Sequence, residues 1–358
     1  MARLCRVFTV LAILAIFRSA GAGDATGEIK PEIAFLDQAA AGAAILDDKA
    51  EPYFETLQAT EMSAKTKSAI TGDTLADQRA ECRRRYQAAA LDFSDDEKTL
   101  LKACLEKVYP AIAKDYPLYA KVPWSFIKVA GNIEGGMPHT RGPNVVLSDK
   151  ALKRFLAMQK KFGDDQALPQ IAMVLLHEQF HVFQRRNPEL IGKLYTDVWG
   201  FKHVDKIEGC DWLTARHLAN PDGLDCRWIF PVKKDDAAHY ILPLVVFDSP
   251  DKPQVMGRDF RMIALELEGD DKQGYRVKMG EDKVPVHSGL MEVTDYTDKF
   301  SAFNEIFHPN ESSAVAFSLA VMLDTLKPKG ETVPKKFEQI EKQLAPVKAW
   351  MKENLTGK

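Results

Sequence analysis

The chain has 358 residues, 46% hydrophobic and 28% charged, enough apolar material for one large domain or two ordinary ones. A net charge of −3 and a pI near 6.3 exclude a general nucleic-acid binder, which needs a basic face for phosphate. The sequence contains no glycine-rich phosphate loop, nucleotide fingerprint or internal repeat.

Residues 1–22 read as a signal peptide. Arg3 and Arg6 form a basic start, Val7 to Phe17 is an apolar run broken only by Thr9, and Ala20-Gly21-Ala22 offers a cleavage site. The mature chain is expected to begin near Gly23, in the periplasm or outside the cell. The apolar run is too short for a comfortable membrane span, and no later stretch suits one. Loss of Cys5 leaves Cys82, Cys104, Cys210 and Cys226. An even number in an exported chain suggests two disulfides. Of the three pairings, Cys82–Cys104 and Cys210–Cys226 are expected, because each closes a local loop.

Residues 23–120 read as a helical region. Glu32 to Leu46 is alanine-rich, Pro52 opens a second helix to about Ala64, and Asp73 to Ala90 forms a third. Arg79, Arg83, Arg84 and Arg85 on the third are read as a solvated face paired with Asp77 and Glu81. Ser94 caps a helix from Asp95 to Lys114, with Glu97 at the capping-box position.

The core is expected over 121–225. Trp124 to Val129 reads as a strand, Gly131 to Gly142 as a loop carrying His139 and Arg141, and Val145 to Leu147 as a returning strand. Ser148 caps a helix from Asp149 to Phe162. There follows Gln170 to Arg186, QIAMVLLHEQFHVFQRR, with Pro169 in its first turn. His177, Glu178 and His181 form the pattern H-E-x-x-H. Helical residues four apart lie almost above one another, so the two imidazoles point at one spot, as two ligands of a zinc ion must. Glu178 then lies beside the metal, placed to take a proton from water there. Ile171, Ala172, Met173, Val174, Leu175, Leu176, Phe180, Val182 and Phe183 make the helix apolar all round, hence buried. Three ionisable groups in such a helix need a shared explanation, and a metal supplies one.

Leu190 to Gly209 reads as mostly helical. Residues 226–292 form a β-rich insert, with strands at Tyr240 to Phe247, Asp259 to Glu268 and Tyr275 to Met279. Residues 293–358 return to helix, with Pro309 in a first turn and a last amphipathic helix from Lys335 to Glu353. The fold class expected is α+β, mainly helical.

A catalytic zinc usually has three protein ligands. The H-E-x-x-H-x-x-G-x-x-H extension is absent, since Gln184 and Asn187 stand at its positions. Glu311, in FHPNESSAVAF, fits best as the third ligand; its bland alternative is a carboxylate on the helix dipole. His308 is a rival ligand or a hydrogen-bond donor to the oxyanion, and Tyr296 a candidate for that second role.

HEQFHVFQ followed by HPNESSAVAF resembles the gluzincin branch of the zincin metallopeptidases, including uncharacterised exported bacterial proteins of this type. The resemblance spans roughly Trp124 to Arg186 and Tyr296 to Leu323. It implies a small sheet and a backing helix supporting the active-site helix. It also implies an edge strand, Trp124–Asn132 or Val145–Leu147, that pairs with extended peptide. Two departures stand out. Glu311 lies 130 positions after His181, farther than in compact gluzincins. Ser312 to Val315 also lack the acidic residue that often follows the ligand. The function expected is an exported zinc-dependent peptidase acting on a peptide or protein, with Glu178 as general base. The alternative is a non-catalytic exported binding protein on the same scaffold, its metal structural or lost. Glu178 weighs against that, because a structural site needs no carboxylate between its histidines.

Overall fold

The structure, a computed structural model, describes residues 30–49, 51–234, 237–326 and 338–356. The expected leader and the start of the helix expected from Lys335 lie outside these residues. In chain order the strands and helices begin with β1 (Ile33–Phe35), α1 (Gln38–Ala44), α2 (Tyr53–Thr56), α3 (Ala59–Thr66), α4 (Leu75–Ala88), β2 (Ala90–Leu91), α5 (Asp95–Asp115) and α6 (Pro117–Ala120). Then come β3 (Trp124–Val129), β4 (His139–Arg141), β5 (Asn144–Ser148), α7 (Asp149–Phe162), α8 (Asp164–Arg186) and α9 (Pro188–Lys193). The chain continues through β6 (Lys202–His203), β7 (Ile207–Glu208), α10 (Asp211–Thr214), β8 (Trp228–Lys234), β9 (Ala237–Phe247), β10 (Phe260–Asp270), β11 (Gly274–Val277) and β12 (His287–Gly289). It closes with α11 (Thr294–Phe300), α12 (Pro309–Leu326) and α13 (Glu338–Asn354). The class is α+β. Among the described residues no helix is long and apolar enough to cross a membrane. Two compact units emerge, and their division passes through α4 and α12.

The first unit takes in the chain up to Asp47, Tyr86–Arg186 and Ala314 onward. Its sheet has the order β1-β3-β5-β4, with β1, β3 and β5 parallel, β4 antiparallel, and β2 against the far end of β3. The helix expected from Glu32 starts only at Gln38, where the Asp37 carboxylate accepts the Ala40 N–H at 2.8 Å. The residues before it become β1 because Ile33 to Phe35 can ladder with Trp124 to Phe126 and Phe35 can stack on Phe126 at 5.4 Å. That pairing outweighs the alanine-rich helix propensity. β3 and β5 are interior strands, so neither is the free edge; β4 is.

Ser94 and Glu97 form the expected capping box at the start of α5, and Ser148 caps α7. α8 starts at Asp164, ahead of Pro169, and buries nearly all faces over its apolar stretch. The body of α12 lies against it, Phe317 stacking on Phe180 at 4.4 Å and meeting Tyr119 at a tilt at 4.5 Å.

The second unit comprises Asp48–Arg85 and Asn187–Ser313. Its sheet runs β6-β8-β9-β10-β11-β7, with β12 also on β10. Alternation along β9 and β10 sends Leu242, Leu244, Val246, Ile263, Leu265 and Leu267 into one core. The β-rich insert is therefore present. The long helix expected from Leu190 stops early, because Gly200 takes a φ of +75° and turns the chain into β6. The helix expected from Pro52 is broken at Leu57, and Gln58 recaps it with Glu61.

The arginine run is paired, with Glu81 as expected but not with Asp77. Glu81 takes both Arg84 and Arg85, Arg83 takes Asp48 and Glu55, and Asp77 instead caps Thr74. Neither expected disulfide forms: Cys82, Cys104, Cys210 and Cys226 are all thiols. Cys104 is committed to the α5 core with Leu100, Leu101 and Leu105, and burial raises its pKa. Cys226 turns its sulfur to His217.

Candidate metal centre

α8 delivers the first two ligands. One helical turn separates His177 and His181, and their Nε2 atoms converge to 3.1 Å with ring planes 81° apart. Two nitrogens bound to one tetrahedral zinc stand roughly 3.3 Å apart. The pair is thus spaced as ligands before any ion is considered. His181 is fully buried, and its Nδ1–H donates to Oε1 of Gln184 at 2.8 Å. That bond fixes the tautomer and leaves the Nε2 lone pair for a metal. Gln184 was passed over in the sequence because it breaks a histidine motif. Its signal was its place, one turn after His181 on an otherwise apolar helix.

Glu311 stands in the first turn of α12 and is 4% exposed. His177 and His181 are brought together within the first unit, and Glu311 stands in the second. The donor set of two imidazoles and a carboxylate suits zinc. Glu178, next along α8 from His177, is 5% exposed.

A turn in the second unit holds Glu311. Asn220 Nδ2 donates to Glu311 Oε1 at 2.6 Å, which orients the carboxylate. The turn itself is gripped from α3. The Ala219 N–H donates to Glu61 Oε2 at 2.9 Å, and Lys65 Nζ donates to the Ala219 carbonyl at 2.8 Å. Glu61 and Lys65 are both buried. Gly223 passes so close to Asn310 that a Cβ would sit 2.6 Å from its Nδ2. In the sequence, Asn220-Pro221-Asp222-Gly223 signals only a turn.

Two expected catalytic groups fall away. Tyr296 is fully buried among Phe201, Phe230 and Phe300, and its hydroxyl donates to the Ile306 carbonyl. It has no hydrogen left for an oxyanion. His308 donates from Nε2 to the Asp225 carbonyl at 2.8 Å, and its Nδ1 lies against Asn310. Both ring nitrogens are used within the protein, so His308 ties α12 to the turn and is neither ligand nor oxyanion donor. His139 and Arg141 are buried in β4, Arg141 donating to the Asp47 carbonyl at 3.2 Å.

Comparison of the chain with models of known protein families, with curated proteins and with solved structures gives no match.

Proposed function

We propose that the chain is an exported zinc-dependent metallohydrolase that cleaves peptide bonds, with a zincin-like core. The observation that carries this reading is the convergence of His177 and His181 on ligand spacing, with Glu178 beside them on α8 and Glu311 assigned as the third ligand. The parallel sheet with one antiparallel edge strand, followed by α7 and α8, supports the zincin comparison. β4 takes the place expected of the peptide-pairing edge.

His177, His181 and Glu311 would hold the zinc. When bound, zinc supplies positive charge that acidifies water and polarises a substrate carbonyl. Glu178 accepts the proton of the attacking water and returns it to the leaving amine. Its burial keeps that proton from exchanging freely with bulk solvent. Gln184 and Asn220 orient the ligands.

The test is metal content of the mature chain, residues 23–358, by elemental mass spectrometry, followed by a peptide-library screen. Zinc content is expected to fall by about one ion per chain in His181→Ala and to weaken in Glu311→Ala. Glu178→Gln should keep the zinc and lose turnover. Turnover surviving in Glu178→Gln would remove the proposed base. No zinc at His177 and His181 after reconstitution would favour the binding-protein reading.

A further inference from the structure

The turn that orients Glu311 begins and ends in metal-binding side chains that the proposed function leaves unused. His217 presents Nε2 3.5 Å from Sγ of Cys226. Both line a pocket of about 250 Å³ within the second unit, together with Glu61, Gln58 and Thr214 and an apolar wall that includes Leu242. We propose that Cys226 and His217 form a second transition-metal site, which takes a zinc-class cation through sulfur and imidazole nitrogen and leaves its other coordination positions open to the pocket.

The spacing carries the argument. Sulfur at ~2.3 Å and nitrogen at ~2.05 Å from a tetrahedral zinc stand roughly 3.6 Å apart. The pair is already at 3.5 Å, so neither side chain has to move. Sulfur with imidazole selects zinc or copper(I) over magnesium and calcium. The pocket has room for several waters, at about 30 Å³ each, to complete the coordination. The Glu61 carboxylate on its wall adds negative charge and is itself fixed, accepting the N–H of Gln58 at 2.8 Å and that of Ala219 at 2.9 Å.

Without a cation the pair is neutral. Burial, with Asp225 and Glu61 nearby, pushes the Cys226 thiol up to about 12. Burial, with Lys65 and His308 nearby, pushes His217 down to about 4. Sγ and Nε2 then share one hydrogen bond. Binding releases that proton to solvent, and the thiolate and the Nε2 lone pair take the ion. The site is independent of the His177, His181 and Glu311 assignment.

The experiment is a cobalt(II) titration of the full mature chain, read by absorption. A sulfur-to-cobalt charge-transfer band in the near ultraviolet is expected, which the sulfur-free set of His177, His181 and Glu311 cannot produce. The band should survive His181→Ala, vanish in Cys226→Ser, and require at least about tenfold more cobalt in His217→Ala. No band in the wild type, or a band persisting in Cys226→Ser, overturns the proposal. A variant that fails to fold would also lose the band, so a second measurement uses the unaltered chain. Labelling of Cys226 by a thiol reagent, mapped by peptide mass, should slow at least about tenfold when zinc is added. An unchanged labelling rate overturns the proposal equally. Failure of the peptidase reading would leave both results intact.

Discussion

Gln184 sets which nitrogen of His181 is available, so its effect should appear in metal affinity before it appears in stability. Gln184→Ala is expected to weaken zinc binding by about 10- to 100-fold with the fold intact. Gln184→Glu keeps an acceptor at the same place and should recover most of the loss. A chelator competition titration on the three proteins decides it, and equal affinities would show that the hydrogen bond to His181 is idle. Asn220→Asp should be worse than Asn220→Ala, because it removes the donor to Glu311 and sets a like charge against it. His177, Glu178 and His181 were readable because their spacing on one helix fixes where they point; Glu311 was a candidate only from its place at the start of an apolar helix. The orienting residues were not readable. Nothing in the chain says that Asn220 will meet Glu311, and proximity in sequence could not reveal that Tyr296 and His308 spend their hydrogen bonds on Ile306 and Asp225.

The turn between His217 and Cys226 is an element without regular structure, yet it is bound at several points. Glu61 accepts two backbone N–H groups, and Glu61→Gln would set an amide donor against one of them. A loss of about 1 to 3 kcal/mol in urea unfolding is expected, with weaker zinc binding alongside. Asp225 adds a pH dependence. Burial works to raise its pKa, but hydrogen bonds from Arg227 and His203 outweigh burial and hold it below the ordinary value of 3.8. Its contribution is therefore complete above about pH 4 and is lost as pH falls through the lower folded value. Thermal melts of wild type and Asp225→Asn should converge as the solution is acidified below about pH 4. A constant gap between them would mean that the carboxylate is not the group responsible. At this scale α5, α7, α8 and the β9–β10 hairpin were legible from caps and periodicity. β1 was not, because its strand state is created by β3.

At the scale of the whole chain, the compact units are interleaved rather than serial: the first is built from three segments and the second from two. A reading that moves along the chain finds the elements but not this grouping. Metal removal should act globally. A ligand at 1,000 times its dissociation constant stabilises by about 4 kcal/mol, so EDTA is expected to lower the melting temperature by several degrees. Most of that effect should disappear in His181→Ala. An identical EDTA shift in the two proteins would place the stabilising ion elsewhere.

The parallel pairing of Ile33 with Trp124 also bears on the order of events during synthesis. The first strand off the ribosome has no local partner and waits for one made roughly 5 to 20 s later at ordinary elongation rates. Until β3 arrives, Ile33 to Phe35 can join no sheet, and β3 itself gains its other long neighbour only when Ser148 has emerged. The parallel core of this sheet therefore closes only once residues up to Ser148 are available, which makes the long-range pairing of β1, β3 and β5 a late step in synthesis.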